Sequence, residues 1–257
     1  GYNLLVNDLD VKTPSSNILA DRIELSADSA WNNIVAKGCI ESTCFTPAEL
    51  ASVVDIPQKR LSPLAFRADG YYSTDSVGVI LSASAIDCSF GIKANVAVMD
   101  PFVERRRGQM TVDECYANEN ITSALIAMAG LDSLDYDIAG VVGDISAKCD
   151  VLFDRDNIGG VATVDCKGGT VGVNGSLASN GQYALTVNGR ELQLQDLTGV
   201  DELKGGELNV VASGNIKDGN DYANVSGGIA NLVYNDYCYA PIEFNGKYTA
   251  KAITAKV

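Results

Sequence analysis

The stretch Ser76-Val77-Gly78-Val79-Ile80-Leu81-Ser82-Ala83-Ser84-Ala85-Ile86 decides how the chain is read. Its odd positions are Val77, Val79, Leu81, Ala83 and Ala85, and its even positions are mostly Ser and Gly. Such a period of two places one kind of side chain on each face of a β-strand. The pattern returns in Gly91–Met99, where Ile92, Ala94, Val96 and Val98 alternate with Lys93, Asn95 and Ala97. It returns again where Tyr183, Leu185 and Val187 alternate with Ala184, Thr186 and Asn188, and where Leu192 and Leu194 alternate with Gln193 and Gln195. Asn174-Gly175, Asn180-Gly181, Asn188-Gly189, Asp218-Gly219 and Asn245-Gly246 read as tight turns between antiparallel strands.

Three stretches read as helical. Thr46-Pro47-Ala48-Glu49-Leu50-Ala51-Ser52-Val53-Val54 has a capping-box start, with Leu50, Val53 and Val54 as its apolar face. Asn120 to Gly130 runs from a capping Asn to a closing Gly. Leu197 to Lys204 allows a single turn. Each is followed by a glycine near the start of a strand run: Gly70, Gly140 and Gly214, spaced by 140 − 70 = 70 and 214 − 140 = 74 residues. This predicts a mainly antiparallel β protein with a few short helices, an elongated curled sheet built from repeated units. Residues 1–45 complete a preceding unit, and 46–119, 120–196 and 197–257 form three units of a short helix and five or six strands.

The 257 residues carry 19 basic and 33 acidic side chains, a net charge of −14. That balance argues against nucleic acid, which needs a basic footprint. The chain has no histidine, which removes Ser-His-Asp and Cys-His catalysis and His-ligated zinc. Its seven cysteines are scattered with no CxxC, so they read as small core residues before disulfides or metal ligands. Arg105-Arg106-Arg107 reads as a solvated turn ahead of a phosphate or lipid-headgroup site. Asp154-Arg155-Asp156-Asn157 lacks the spacing and closing Glu of a calcium loop. The carboxylate pairs Asp132/Asp135, Asp154/Asp156, Asp218/Asp221 and Glu41/Glu49 read as turn and cap residues, so neither an enzyme nor a cofactor is expected. Tyr237 and Tyr239 share a strand face, with Tyr234 on the other unless a turn intervenes; a core or rim role is favoured over a sugar platform. No continuous apolar run is long enough to cross a membrane as a helix. The abrupt ends in strand-like runs read as an excised piece of a longer protein, with Gly1 left from a cleaved tag.

The order of elements around Val11–Leu25, Thr46-Pro47-Ala48-Glu49-Leu50-Ala51, Ser62-Pro63-Leu64 and Gly70 resembles the large TamB/AsmA-like envelope proteins of Gram-negative bacteria, especially the Bacteroidetes group. The likeness is sharpest over about residues 9–85, and Asn120-Ile121-Thr122 departs from the Thr-Pro-Ala start. The resemblance implies a periplasmic segment of a parent anchored in the inner membrane. It implies an apolar β-groove that passes phospholipid acyl chains between membranes, or assists outer-membrane protein assembly alongside an assembly partner. Candidate groove-lining residues are Val77, Val79, Leu81, Ile92, Val96, Leu185 and Val187. The same alternation fits a closed core, as in a secreted or surface β-sandwich that binds glycan or protein.

Overall fold

A computed structural model describes residues 1–52, 62–128, 140, 142–198, 200–217, 222–249 and 252–256. Fifteen strands form one antiparallel sheet, each hydrogen-bonded to the next in chain order, curled but not closed into a barrel. The strands are β1 (Tyr2–Lys12), β2 (Asn17–Ala27), β3 (Ile34–Phe45), β4 (Leu64–Ser73), β5 (Ser76–Ala85), β6 (Phe90–Met99) and β7 (Arg107–Ala117). They continue as β8 (Ile145–Phe153), β9 (Asn157–Cys166), β10 (Gly169–Ala178), β11 (Gln182–Gln193), β12 (Gly205–Asn215) and β13 (Tyr222–Ala230). A separate hairpin of β14 (Val233–Tyr234) and β15 (Tyr237–Cys238) precedes the last two, β16 (Ile242–Thr249) and β17 (Ala252–Lys256).

The sheet is a single layer. Among the described residues no large side chain is fully buried, and the buried apolar residues are four alanines, Ile121 and Leu192. The chain exposes 16277 Å², whereas a compact monomer of this mass exposes about 11,000 Å². Stability therefore rests on backbone ladders and cross-strand pairs, each pair contributing roughly 0.2–1 kcal/mol. A two-layer sandwich, the alternative architecture, is not what these strands build.

The helical segments follow a rule of four. A 3₁₀ turn (Pro47–Ser52) lies between β3 and β4, helix α1 (Glu119–Met128) between β7 and β8, and helix α2 (Leu194–Thr198) between β11 and β12. Four strands separate successive segments, not the five or six expected. An even number of antiparallel strands returns the chain to the side it left, so these three segments, and the β14–β15 hairpin, lie along one rim. The opposite rim carries the β2–β3, β4–β5, β6–β7, β8–β9, β10–β11 and β12–β13 turns. Neighbouring turns on it are stitched together, as where Asp100 N donates to Asp75 O at 2.8 Å and Ile216 N to Gly181 O at 3.0 Å.

Several local expectations change. Gly70 and Gly214 are strand residues, but Gly140 precedes β8 and lies outside any strand, so the helical segments mark the period better. Thr46 does not form a capping box: its hydroxyl donates to Ser15 O at 2.8 Å, and Glu49 accepts from Thr13 at 2.8 Å and from Ser15, in the β1–β2 turn. Val53, Val54 and Gly130 lie outside the described residues. The cap of α1 is Asn118 rather than Asn120, its Oδ1 accepting from Ile121 N at 3.1 Å. The last helix starts earlier than read, at Leu194.

Of the four Asn-Gly signals among the described residues, only Asn180-Gly181 makes a turn, with Gly181 at φ 85. Asn174-Gly175, Asn188-Gly189 and Asn245-Gly246 lie inside β10, β11 and β16, and Asp218-Gly219 lies outside the described residues. The three internal glycines fall on the apolar face, where their bareness is used for packing. Many real turns instead use an Asp or Asn side chain to hold backbone N–H groups. Asp28 accepts from Ala30 and Asn32, and Asp154 from Asp156 and Asn157.

Candidate functional site: an uncovered apolar trough

Directly opposed residues in an antiparallel sheet point to the same face, so the register can be followed from strand to strand. The row through Val79 runs Val6-Ile23-Gly38-Gly70-Val79 on β1 to β5 and Val96-Met110-Val151-Gly160-Gly175 on β6 to β10. It ends Leu185-Ala212-Val225-Gly246-Ala255 on β11, β12, β13, β16 and β17. It crosses all fifteen strands without one polar side chain. A parallel row two residues away joins Val77 to Tyr72 and Val98 and continues through Phe153, Ile158, Leu177 and Tyr183.

Residues from the intervening positions form the other face. There Asp69, Ile80, Asn95, Thr111 and Asp150 lie side by side. Ion pairs cross this face, as between Lys37 and Glu24 at 2.8 Å and Lys93 and Glu114 at 2.6 Å. These pairs are exposed and contribute little individually. Their hydrogen bonds hold the Glu24 carboxyl below its usual range through Lys37, and that of Glu114 through Lys93.

The apolar face is the sheltered one. On β6, Ile92, Ala94, Val96 and Val98 are half-buried while Lys93, Asn95, Ala97 and Met99 are exposed. In a single layer this bias comes from the curl, which crowds inner side chains together and fans outer ones apart. Glycine and alanine along the inner rows leave room for that curl. All seven residues singled out from the sequence, Val77, Val79, Leu81, Ile92, Val96, Leu185 and Val187, share this inner face. No described element spans it; only at the helical rim is it overlaid, where Leu194 of α2 lies against the inner position Gly206. The result is a long apolar trough floored by alternate residues of every strand.

No family model, curated protein or solved structure matches the chain.

The other candidate groups resolve into structural roles. Arg105 sits in the β6–β7 turn and pairs with Asp100 at 3.4 Å. Asp154 closes the β8–β9 turn, and backbone N–H bonds from Asp156 and Asn157 lower its pKa. Glu41 faces Arg67 at 3.4 Å, while Glu49 binds turn hydroxyls; Asp132, Asp135, Asp218 and Asp221 lie outside the described residues. Among the described residues no three His, Cys, Asp or Glu side chains converge as metal ligands.

All seven cysteines are free thiols: Cys39, Cys44, Cys115, Cys149 and Cys166 are half-buried, while Cys88 and Cys238 are exposed. The core reading therefore fails for Cys88, in the β5–β6 turn, and for Cys238, in the β14–β15 hairpin. The three tyrosines are exposed on the helical rim and not in a core. A turn does intervene: Asn235 and Asp236 adopt φ 51 and 60, and Tyr234 pairs directly with Tyr237. Here Asn235-Asp236 makes the hairpin turn that Asn-Gly pairs make elsewhere. The Tyr237 and Tyr239 rings meet edge to face at 5.0 Å.

Proposed function

We propose that this chain is a trough segment of a TamB/AsmA-like envelope protein and carries phospholipid acyl chains along its apolar face, without catalysis. The observation that carries the reading is the apolar row from Val6 to Ala255, uninterrupted across fifteen strands and uncovered. A fluid hydrocarbon chain matches such a surface. It needs no directional hydrogen bonds and gains roughly 25 cal/mol per Å² of apolar area removed from water. A protein client would need polar partners for its backbone, and the inner rows provide none. The resemblance around Thr46–Ala51 supplies the periplasmic setting.

The test is native mass spectrometry of protein purified gently from a bacterial envelope, with lipid extraction alongside. The expected result is co-purifying phospholipid that is lost in Val79→Asp and kept in Ile80→Asp, because these neighbours occupy opposite faces. Lipid-free wild-type protein, or equal loss in both variants, would overturn the reading.

A further inference from the structure

The outer face is not uniform. In its first half, cations and carboxylates answer one another: Lys37 pairs with Glu24, Lys93 with Glu114, and Arg67 with Glu41 and Asp69. The last four strands of the sheet, β12, β13, β16 and β17, depart from this. Two outer rows cross them. One runs Val211-Ser226-Asn245-Lys256, the other Ser213-Asn224-Lys247-Thr254. Both rows border one hollow of about 400 Å³, a volume within the range of small-molecule sites.

The charge in this hollow is of one sign. Lys247 and Lys256 border it and no carboxylate does. Among the described residues, neither lysine has a carboxylate within ion-pair distance. Glu243, the next acid along β16 on that face, lies beyond Asn245 and borders a separate hollow. Lys247 faces Thr254 and Lys256 faces Asn245, so the two lysines are diagonal neighbours on adjacent strands. Their backbones are then roughly 7–8 Å apart, within reach of long side chains. Two unpaired cations at such a spacing repel each other. The side chains of Ser213, Asn224, Ser226 and Asn245 are also exposed and make no hydrogen bond within the described protein.

We infer that this hollow binds a small sugar phosphate. An ammonium group is a compact charge with three donors, so two of them on diagonal positions converge on one phosphate dianion and turn their mutual repulsion into shared attraction. The phosphate end sits over β16 and β17. The hydroxyls and amides of β12 and β13 lie one to three strand spacings away, each about 4.8 Å, which is the reach of a sugar ring and its hydroxyls. Val211, 44% exposed, offers that ring an apolar contact. The net charge of −14 acts weakly here, because exposed charges beyond about 10 Å are screened at 0.1 M salt. An anionic bilayer would set many charges against the whole chain, so a soluble ester fits and a membrane headgroup does not. The site lies on the face opposite the trough and does not depend on what fills the trough.

The test is isothermal titration calorimetry of the full chain with glucose-6-phosphate, glucose and inorganic phosphate. Glucose-6-phosphate is expected to bind at least tenfold more tightly than either of the others. Lys247→Gln and Lys256→Gln should each weaken it by about tenfold. Lys37→Gln, which removes an equal charge from the same face, should leave it unchanged, as should Val79→Asp in the trough. Asn224→Leu should weaken the sugar phosphate and spare inorganic phosphate. Circular dichroism checks the fold of each variant. Absence of wild-type binding, full binding by both Lys247→Gln and Lys256→Gln, or equal loss in Lys37→Gln overturns the proposal. So does displacement of the ester by phosphatidylglycerol vesicles, which would assign the site to a membrane, or loss in a folded Val79→Asp, which would assign it to the trough.

Discussion

Phe153 on β8 lies directly across from Gly108 on β7, and its ring fills the space that a side chain at 108 would need. A Cβ there would meet Phe153 Cε1 at 2.9 Å and Ala97 O at 2.8 Å. The same device recurs where Tyr183 covers Gly214 and Phe244 covers Gly227. With no second layer, these rings shelter the backbone on the inner face, and the glycines let them lie flat.

Gly108→Ala should therefore destabilise the sheet. Overpacking of this kind costs roughly 1–3 kcal/mol, read as a lower urea midpoint. Adding Phe153→Leu should recover part of the loss, because the ring is one of the two obstacles and the Ala97 carbonyl is the other. An unchanged midpoint in the single variant would mean the ring moves aside freely.

Acid should loosen the β1–β2 turn and the Pro47–Ser52 turn before the strand centres. Hydrogen bonds from Ser15 and then other turn hydroxyls lower the Glu49 pKa from 4.5, and hydrogen bonds led by Ser62 lower that of Asp87 from 3.8. A folded pKa below the unfolded one means folding favours the ionised form. The stabilisation is complete above the unfolded values and is lost as pH falls through the lowered folded values. Hydrogen exchange between about pH 6 and pH 3 should show the β1–β2 turn and the Pro47–Ser52 turn losing protection before the strand centres. Glu49→Gln should show the loosened behaviour already at neutral pH, and if it does not, the Glu49 contacts carry no weight.

Thiol chemistry should separate the faces from the rims. Cys88 and Cys238 are exposed, while burial, and next the neighbouring Cys149, push the Cys115 thiol up. Alkylation near pH 8 should label Cys88 and Cys238 at least tenfold faster than Cys115. Mass-mapped labelling over time reads this directly, and comparable rates would indicate that the inner face opens readily.

The sequence carried the strand content and the faces because both are local. Ser76–Ile86 fixes its own alternation, and every residue named for the trough from that rule proved to share one face. It misplaced turns where one dipeptide serves two purposes. Asn188-Gly189 resembles a hairpin turn, yet in β11 it places an amide outward and an empty position inward, beneath Leu192. It also misassigned Glu49, because a capping partner three residues away and hydroxyls in the β1–β2 turn look alike until the strands are brought together.

What the sequence determined alone is the period of two, the absence of histidine and the separation of apolar from polar positions along each strand. Whether that apolar face would be closed by a second layer or left as a trough was decided only by tertiary structure. Alternation states which side avoids water, not what covers it. The cover depends on how fifteen strands curl together and on an even number of strands sending the three named helical segments to the same rim, where α2 overlies only the edge of the face.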